Sequence, residues 1–302
     1  MPAGFVTGRR GTVLRATHAT RATIDAMTDQ EARYDRIAEG YAACWSPIHR
    51  PKTLELLDVI EPAVAAGART ILDLGCGTGA FAAAAVSRWP QVRVTGVDPS
   101  SGMLLVADRE LEPLPQGQRS RIDLVQASAE RVPFERRTFD LVTTSFVLQL
   151  VPSRFRAVRE ARRVLKPGGW IATLTWLQGG EPFEPDEVYD EVLERHGFEG
   201  RGGGGGDHDD PATPAAAAAR LRRAGFEAAE TRGDWVDHQF TPEAFLAFIT
   251  RFDDEDLFAT MDAETRADVE RDLLDGLRLL PARAMRLRLP IAYAKARRPF
   301  AD

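Results

Sequence analysis

With only two cysteines in 302 residues, Cys44 and Cys76, the chain has no disulfide framework and must rely on a packed core. So few thiols suit a reducing compartment, and a cytoplasmic location is expected. No apolar run approaches the roughly 20 residues that span a bilayer, so no membrane span is expected. Basic residues number 39 against 45 acidic ones, a formal net charge of −6, so the broad basic surface of a general nucleic-acid binder is missing and no nucleic-acid partner is expected. Histidines are scarce as well, five in all. One of them, His208, stands among Asp207, Asp209 and Asp210, but the preceding run Gly202 to Gly206 reads as a solvated loop, so no metal site is expected. What is plentiful is apolar residues: 44% of the chain, enough to bury a sizeable core.

The most informative segment is Thr70-Ile71-Leu72-Asp73-Leu74-Gly75-Cys76-Gly77-Thr78-Gly79. A short apolar strand runs into a turn whose glycines let the backbone approach a ligand closely, and an alanine-rich helix follows with its amides facing that ligand. Val92 to Val97 reads as a second strand that ends at Asp98, 23 positions after Gly75. An acidic residue at that distance is placed to accept hydrogen bonds from a ribose. Gly77 to Ala82 also satisfies the dinucleotide fingerprint G-x-G-x-x-A, so a nicotinamide or flavin cofactor competes for the turn. Asp73 decides between the two. A pyrophosphate would be repelled by a carboxylate two residues before the first glycine, whereas a cationic ligand would be attracted.

The segment resembles the first motif of class I S-adenosylmethionine-dependent methyltransferases, and Val97-Asp98-Pro99-Ser100 through Met103 resembles the motif that follows it. Ala127 to Phe134 resembles the adenine-side segment of the family, with Ser128 where an aspartate is usual. Phe139 to Leu150 resembles the fourth strand and its loop, and Val164 to Ile171 the turn into the fifth strand. The resemblance implies a doubly wound, mostly parallel seven-stranded α/β sheet, with S-adenosylmethionine at the carboxyl ends of its strands. It implies cofactor contacts at Tyr34, Asp73, Gly75, Cys76, Gly77, Gly79, Asp98, Pro99, Met103, Ser128, Ala129, Glu130, Ser145 and Gln149, with Phe134 beside the adenine. The function implied is methyl transfer to an O, N or C atom of a small-molecule acceptor. Relatives with non-methylating chemistry and a non-catalytic cofactor-binding subunit are the alternatives. Ser145-Phe146-Val147-Leu148 replaces the Asn/Asp-Pro-Pro-Tyr/Phe motif, which disfavours DNA adenine or protein glutamine as acceptor.

The flanks divide as follows. Residues 1–26 carry arginines with no acid before Asp25 and read as a disordered tail, a transit segment or an overextended start. Thr28 to Glu31 reads as a capping box, so a cap helix is expected over 27–50, with Pro51 opening the next helix. Residues 51–176 form the cofactor core, 177–213 a flexible glycine-rich loop, and 214–302 the last strands with a helical insertion near 241–280. Cap and insertion read either as lids over the site or as packing elements, and a homodimer contact is a further use for the insertion. Tyr41, His49 and His238 are the candidates for a general base.

Overall fold

The computed structural model describes residues 14–15, 21–200 and 210–301, with side chains described from residue 30 onward. Its strands are β1 (Leu14–Arg15), β2 (Thr70–Leu74), β3 (Arg93–Asp98), β4 (Ile122–Gln126), β5 (Phe139–Ser145), β6 (Leu165–Trp176), β7 (Glu227–Gln239) and β8 (Arg286–Arg297). They make one sheet in the order β1-β4-β3-β2-β5-β6-β8-β7, in which β8 runs antiparallel to both its neighbours. The expected seven-stranded doubly wound sheet is therefore present as β2 to β8, and β1 adds two residues beside β4. Side chains alternate across it. Ile71 belongs to one apolar cluster, with the helices Leu56–Ala65 and Ala80–Arg88, while Leu72 and Leu74 belong to the other, with the helices Arg154–Val164 and Pro214–Arg223. Strand order reverses at β2, which pairs with β3 on one side and β5 on the other. A crevice at the carboxyl ends of those strands is where such sheets bind ligands.

Several segments differ from expectation. The cap helix runs from Arg21 to Gly40, so the capping-box residues lie inside it and Arg21 to Ala26 of the expected tail are helical. Alanine, arginine and methionine are strong helix formers, and a Thr-x-x-Glu spacing fits a helix interior as readily as its start. Residues 1–13 and 16–20 of that tail lie outside the described residues. Pro51 does not open a helix; it sits within Ser46–Leu54, where Pro47 occupies the first turn. The expected loop 177–213 contains the helix Glu184–Arg195, with Tyr189, Val192 and Leu193 buried. Its start was legible in Pro185 and in an acidic first turn, Glu184, Asp186 and Glu187. The glycine run Gly202 to Gly206 and His208 lie outside the described residues.

Cap and insertion meet over the crevice. A Cβ on Gly40 would stand 1.7 Å from the Arg251 carbonyl oxygen, and one on Gly102 would stand 2.6 Å from that of Asp35. The Asp35 carboxylate accepts from Ser100 Oγ at 2.7 Å and from the Gly102 amide at 2.8 Å, tying the cap to the helix Ser101–Leu111. Two π-helical turns, Tyr41–Trp45 in the cap and Ile249–Asp253 in the insertion, face each other at this junction.

Candidate active site

Two adjoining cavities open at the switch point, and Tyr41, Gly75, Gly77 and Ser145 line both. The glycine turn shapes their floor. Gly75, Gly77 and Gly79 all have positive φ, at 71°, 50° and 77°. A Cβ on Gly75 would come within 2.2 Å of Val147, whereas above Gly77 the space is open. Gly79 caps the helix Ala80–Arg88 and packs against Ala107 and Leu111, away from the cavities, so its conformation serves the turn and not the expected ligand contact.

The larger cavity is lined by Asp98, Pro99, Ser100, Met103, Ser128 and Ala129 at one end and by Tyr34 and Glu31 from the cap. Asp98 closes β3 and accepts hydrogen bonds from the Gly77 and Ser100 amides, each at 3.0 Å. Burial raises its carboxyl to about 6, against the lowering effect of those two amides. Burial also pushes the Tyr34 phenol up to about 12, so it stays protonated. Among the described residues no lysine or arginine lines this cavity, and the charged groups are the carboxylates Asp98 and Glu31.

The smaller cavity is lined by Asp73, Cys76, Thr78, His49, Arg50 and Thr53. Asp73 points to the same face of β2 as Ile71, and the hydroxyl of Thr143, its register partner on β5, donates to it at 2.9 Å. One hydrogen bond does not offset the loss of water: burial, with the nearby Asp98 adding, raises the Asp73 carboxyl to about 7. A cation placed there would restore it to the charged form. Arg50 is exposed at the rim and carries the positive charge that the larger cavity lacks. Cys76 is buried with its thiol pushed well up, mainly by burial, which fits a small packing residue under Gly96 and not a nucleophile.

Of the three base candidates, two come together. Tyr41 Oη lies 2.9 Å from His49 Nε2, His49 Nδ1 lies 3.5 Å from Thr53 Oγ1, and Thr53 Oγ1 lies 2.8 Å from Ser145 Oγ. Burial lowers His49 to about 4 and drives the Tyr41 phenol above its ordinary value. Both are neutral near pH 7, so Tyr41 can donate to Nε2 while His49 carries its proton on Nδ1. His238 stands apart on β7, its ring 4.5 Å from that of Phe240 and outside both cavities. It lies within β7, the edge strand four places from β2 in the sheet order, and that distance keeps it out of the crevice.

Three more expected contacts also turn elsewhere. Glu130 lies beside Arg156 and the Ser153 amide, Gln149 Nε2 donates to the Phe146 carbonyl at 2.7 Å, and Phe134 packs edge-on against Phe139 at 5.1 Å. Each sits in a loop whose path the sequence does not specify. In exchange the site gains Phe146, Val147 and Leu150 after β5, and Arg50 and Thr53 one and two turns after the cap. Phe146 has φ 57°, a left-handed conformation that a bulky side chain rarely adopts and that no sequence signal announces. Its ring stacks on Trp176 at 4.1 Å.

Comparison with known proteins agrees with this geometry. Residues 72–173 match the methyltransferase domain family. The chain is 39% identical over 119 residues to the mitochondrial 2-methoxy-6-polyprenyl-1,4-benzoquinol methylase of Caenorhabditis elegans, covering 39% of this chain and 41% of that one. It is 36% identical over 130 residues to the demethylmenaquinone methyltransferase of Bacillus subtilis, covering 43% and 52%. The match thus spans about half the length of these relatives or less. Among solved structures, phosphoethanolamine N-methyltransferase 2 of Haemonchus contortus, bound to S-adenosyl-L-methionine, superposes with a TM-score of 0.51 at 19% identity, over 93% of this chain and 60% of that one. The (4+2) cyclase SpnF superposes with a TM-score of 0.53 at 21% identity, over 95% and 99%. At such identities the structures speak for the fold. Sheet order, crevice and matched segment define a Rossmann-like methyltransferase domain over residues 72–173. Among the described residues no helix is long and apolar enough to cross a membrane, and no cluster of histidine, cysteine and carboxylate side chains could hold a metal ion.

Proposed function

We propose that the whole protein is a methyltransferase acting on a small-molecule acceptor, through an O, N or C atom. The observation that carries this reading is the charge of the crevice: carboxylates Asp73 and Asp98 flank a glycine turn, and among the described residues no cation lines the larger cavity. A pyrophosphate would meet two buried carboxylates there, at a cost that burial makes steep. S-adenosylmethionine fits the same residues. The open space above Gly77, bounded by Asp98, suits a ribose, Met103 and Ala129 offer an apolar slot for a base, and Asp73 with Arg50 suits a zwitterionic amino-acid end. When bound, the cofactor supplies an electrophilic methyl carbon, so the protein has mainly to orient the acceptor and exclude water. Phe146 and the cap ring Tyr41 close the space above the turn, and neutral His49 is poised to receive a proton only from an acidic acceptor. Calorimetric titration tests the reading: S-adenosylmethionine and its demethylated product should bind, and NAD should not. Comparable or tighter NAD binding would overturn it.

A further inference from the structure

A third cavity, of about 530 Å³, lies apart from the two at the glycine turn. Its floor is Thr173 and Thr175 of β6. Register carries Leu74 through Thr144 to Thr173, so this floor belongs to the face of the sheet that bears Leu72 and Leu74, opposite to the face that bears Asp73. The walls are the two helices of that layer, Arg154–Val164 and Pro214–Arg223. The loop after β5 forms the partition: Val151 and Pro152 border both this cavity and the larger one of the crevice.

Its charge is the reverse of the crevice. Arg154, Arg220 and Arg223 line it, and among the described residues no carboxylate does. Arg154 lies 3.3 Å from the Asp210 carboxylate, with both side chains little exposed, so those two charges largely offset each other. Arg220 and Arg223 stand three apart in the last turn of one helix and so share a face, and Arg223 is exposed, with no ion pair among the described residues. The Ser153 hydroxyl accepts from the Arg156 amide at 3.4 Å and keeps its own proton to donate, and Thr175 adds a second hydroxyl. Carbon makes up the rest, with Leu148, Val158 and Leu221 in the wall and the half-exposed ring of Phe155 at the edge. A cation would meet like charge here, and a neutral apolar molecule would take water from the guanidiniums and return nothing. A bare inorganic anion would fill a small part of the volume and leave the apolar wall wet. We propose that this cavity is a second binding site, distinct from the crevice, for an organic oxyanion whose head is held by Arg220 and Arg223 and whose apolar body lies against Phe155 and Leu221.

Calorimetry on the full chain at fixed ionic strength tests this, with and without saturating S-adenosylhomocysteine. The probes are 2-naphthyl phosphate and 2-naphthoate, and the comparators are 2-naphthylmethanol, inorganic phosphate and the cation 2-naphthylmethylammonium. At least one organic anion should bind about tenfold or more tighter than every comparator, the scale of a charge-assisted hydrogen bond, and the tighter of the two identifies the head. Arg220→Gln and Arg223→Gln should each weaken it about tenfold. Arg223 is exposed, so its loss removes little packing, and Arg223→Lys, which keeps the charge, should cost less. Asp98→Asn should leave the probe's affinity unchanged, and S-adenosylhomocysteine should not displace it. Neither anion binding above the comparators, indifference to both glutamine variants, or displacement by S-adenosylhomocysteine would each overturn the second site while leaving the methyltransferase reading standing. Failure of S-adenosylhomocysteine itself to bind would overturn that reading and leave the second site standing.

Discussion

The floor of the site, Gly75 to Gly79 with Asp73 and Asp98, is made of backbone and two carboxylates, whereas the roof of Tyr41, Trp45, Phe248 and Phe252 is made of rings from two segments some 200 residues apart. The floor is local. Its turn is fixed by positive φ values that glycine adopts freely, and its acids sit at strand ends that register fixes. The roof exists only when cap and insertion dock, and its contacts are apolar and interchangeable. One half therefore sets which cofactor fits, and the other sets access and what the cofactor meets. The two halves should fail separately when each is perturbed.

Gly40→Ala is the harshest way to break the roof. In an ordinary helix the change stabilises by up to about 1 kcal/mol, and Gly40 has helical φ. Here the added carbon would stand 1.7 Å from the Arg251 carbonyl oxygen, backbone that cannot swing aside. The clash should reverse the sign, costing about 1–3 kcal/mol. Thermal unfolding would register the loss, with S-adenosylhomocysteine affinity falling far less than stability. Unchanged or raised stability would show that cap and insertion are not in contact.

Asp98→Asn breaks the floor. The amide cannot accept from Gly77 and Ser100 as the carboxylate does, and it would lose a charged acceptor toward a ribose. Cofactor affinity should drop by about 1–3 kcal/mol, or roughly ten- to a hundredfold, with little change in the roof. Calorimetry that finds wild-type affinity would remove Asp98 from the site.

pH provides a gentler comparison. Asp73 and Asp98 sit near 7 and 6 in the unliganded protein because burial penalises their charged forms. A folded carboxyl raised above its unfolded value holds its proton more tightly than the unfolded chain does. These two groups therefore stabilise the unliganded protein most at pH below their unfolded values near 4, and that contribution is lost as pH rises through about 6 to 7. A cation beside Asp73 has the opposite preference. Affinity for S-adenosylmethionine should fall severalfold, up to about tenfold, as pH drops from about 7.5 to about 5.5. Paired melting curves and titrations should show opposite slopes; affinity that is flat or rises toward acid would take Asp73 away from the cationic end.

The same contrast explains what was legible in the sequence. Strands β2 to β6, the glycine turn and both acids could be read because strand period, turn chemistry and spacing are short-range signals. The insertion was visible as amphipathic helices, and Tyr41 and His49 as candidates. Their 2.9 Å contact was not, because it depends on a π-helical turn between them. His238 and Gly79 were misplaced for a related reason: where a strand falls in the sheet order, at the edge for β7, and whether a glycine serves ligand or turn, are decided by neighbours distant in sequence. The left-handed Phe146 is accompanied by packing on Trp176 and by the hydrogen bond its backbone N–H donates to the Leu174 carbonyl, neither of which a local reading supplies.

Hydrogen exchange with and without S-adenosylhomocysteine tests the two-part site most directly. If the turn binds the cofactor and the roof closes on it, protection should rise together in residues 75–79, at Asp98 to Met103, in the cap from about residue 30 to Trp45, and around Phe248 to Asp253. Protection confined to the glycine turn and the Asp98 segment would contradict the account, leaving the cap and insertion as packing elements with no part in the site.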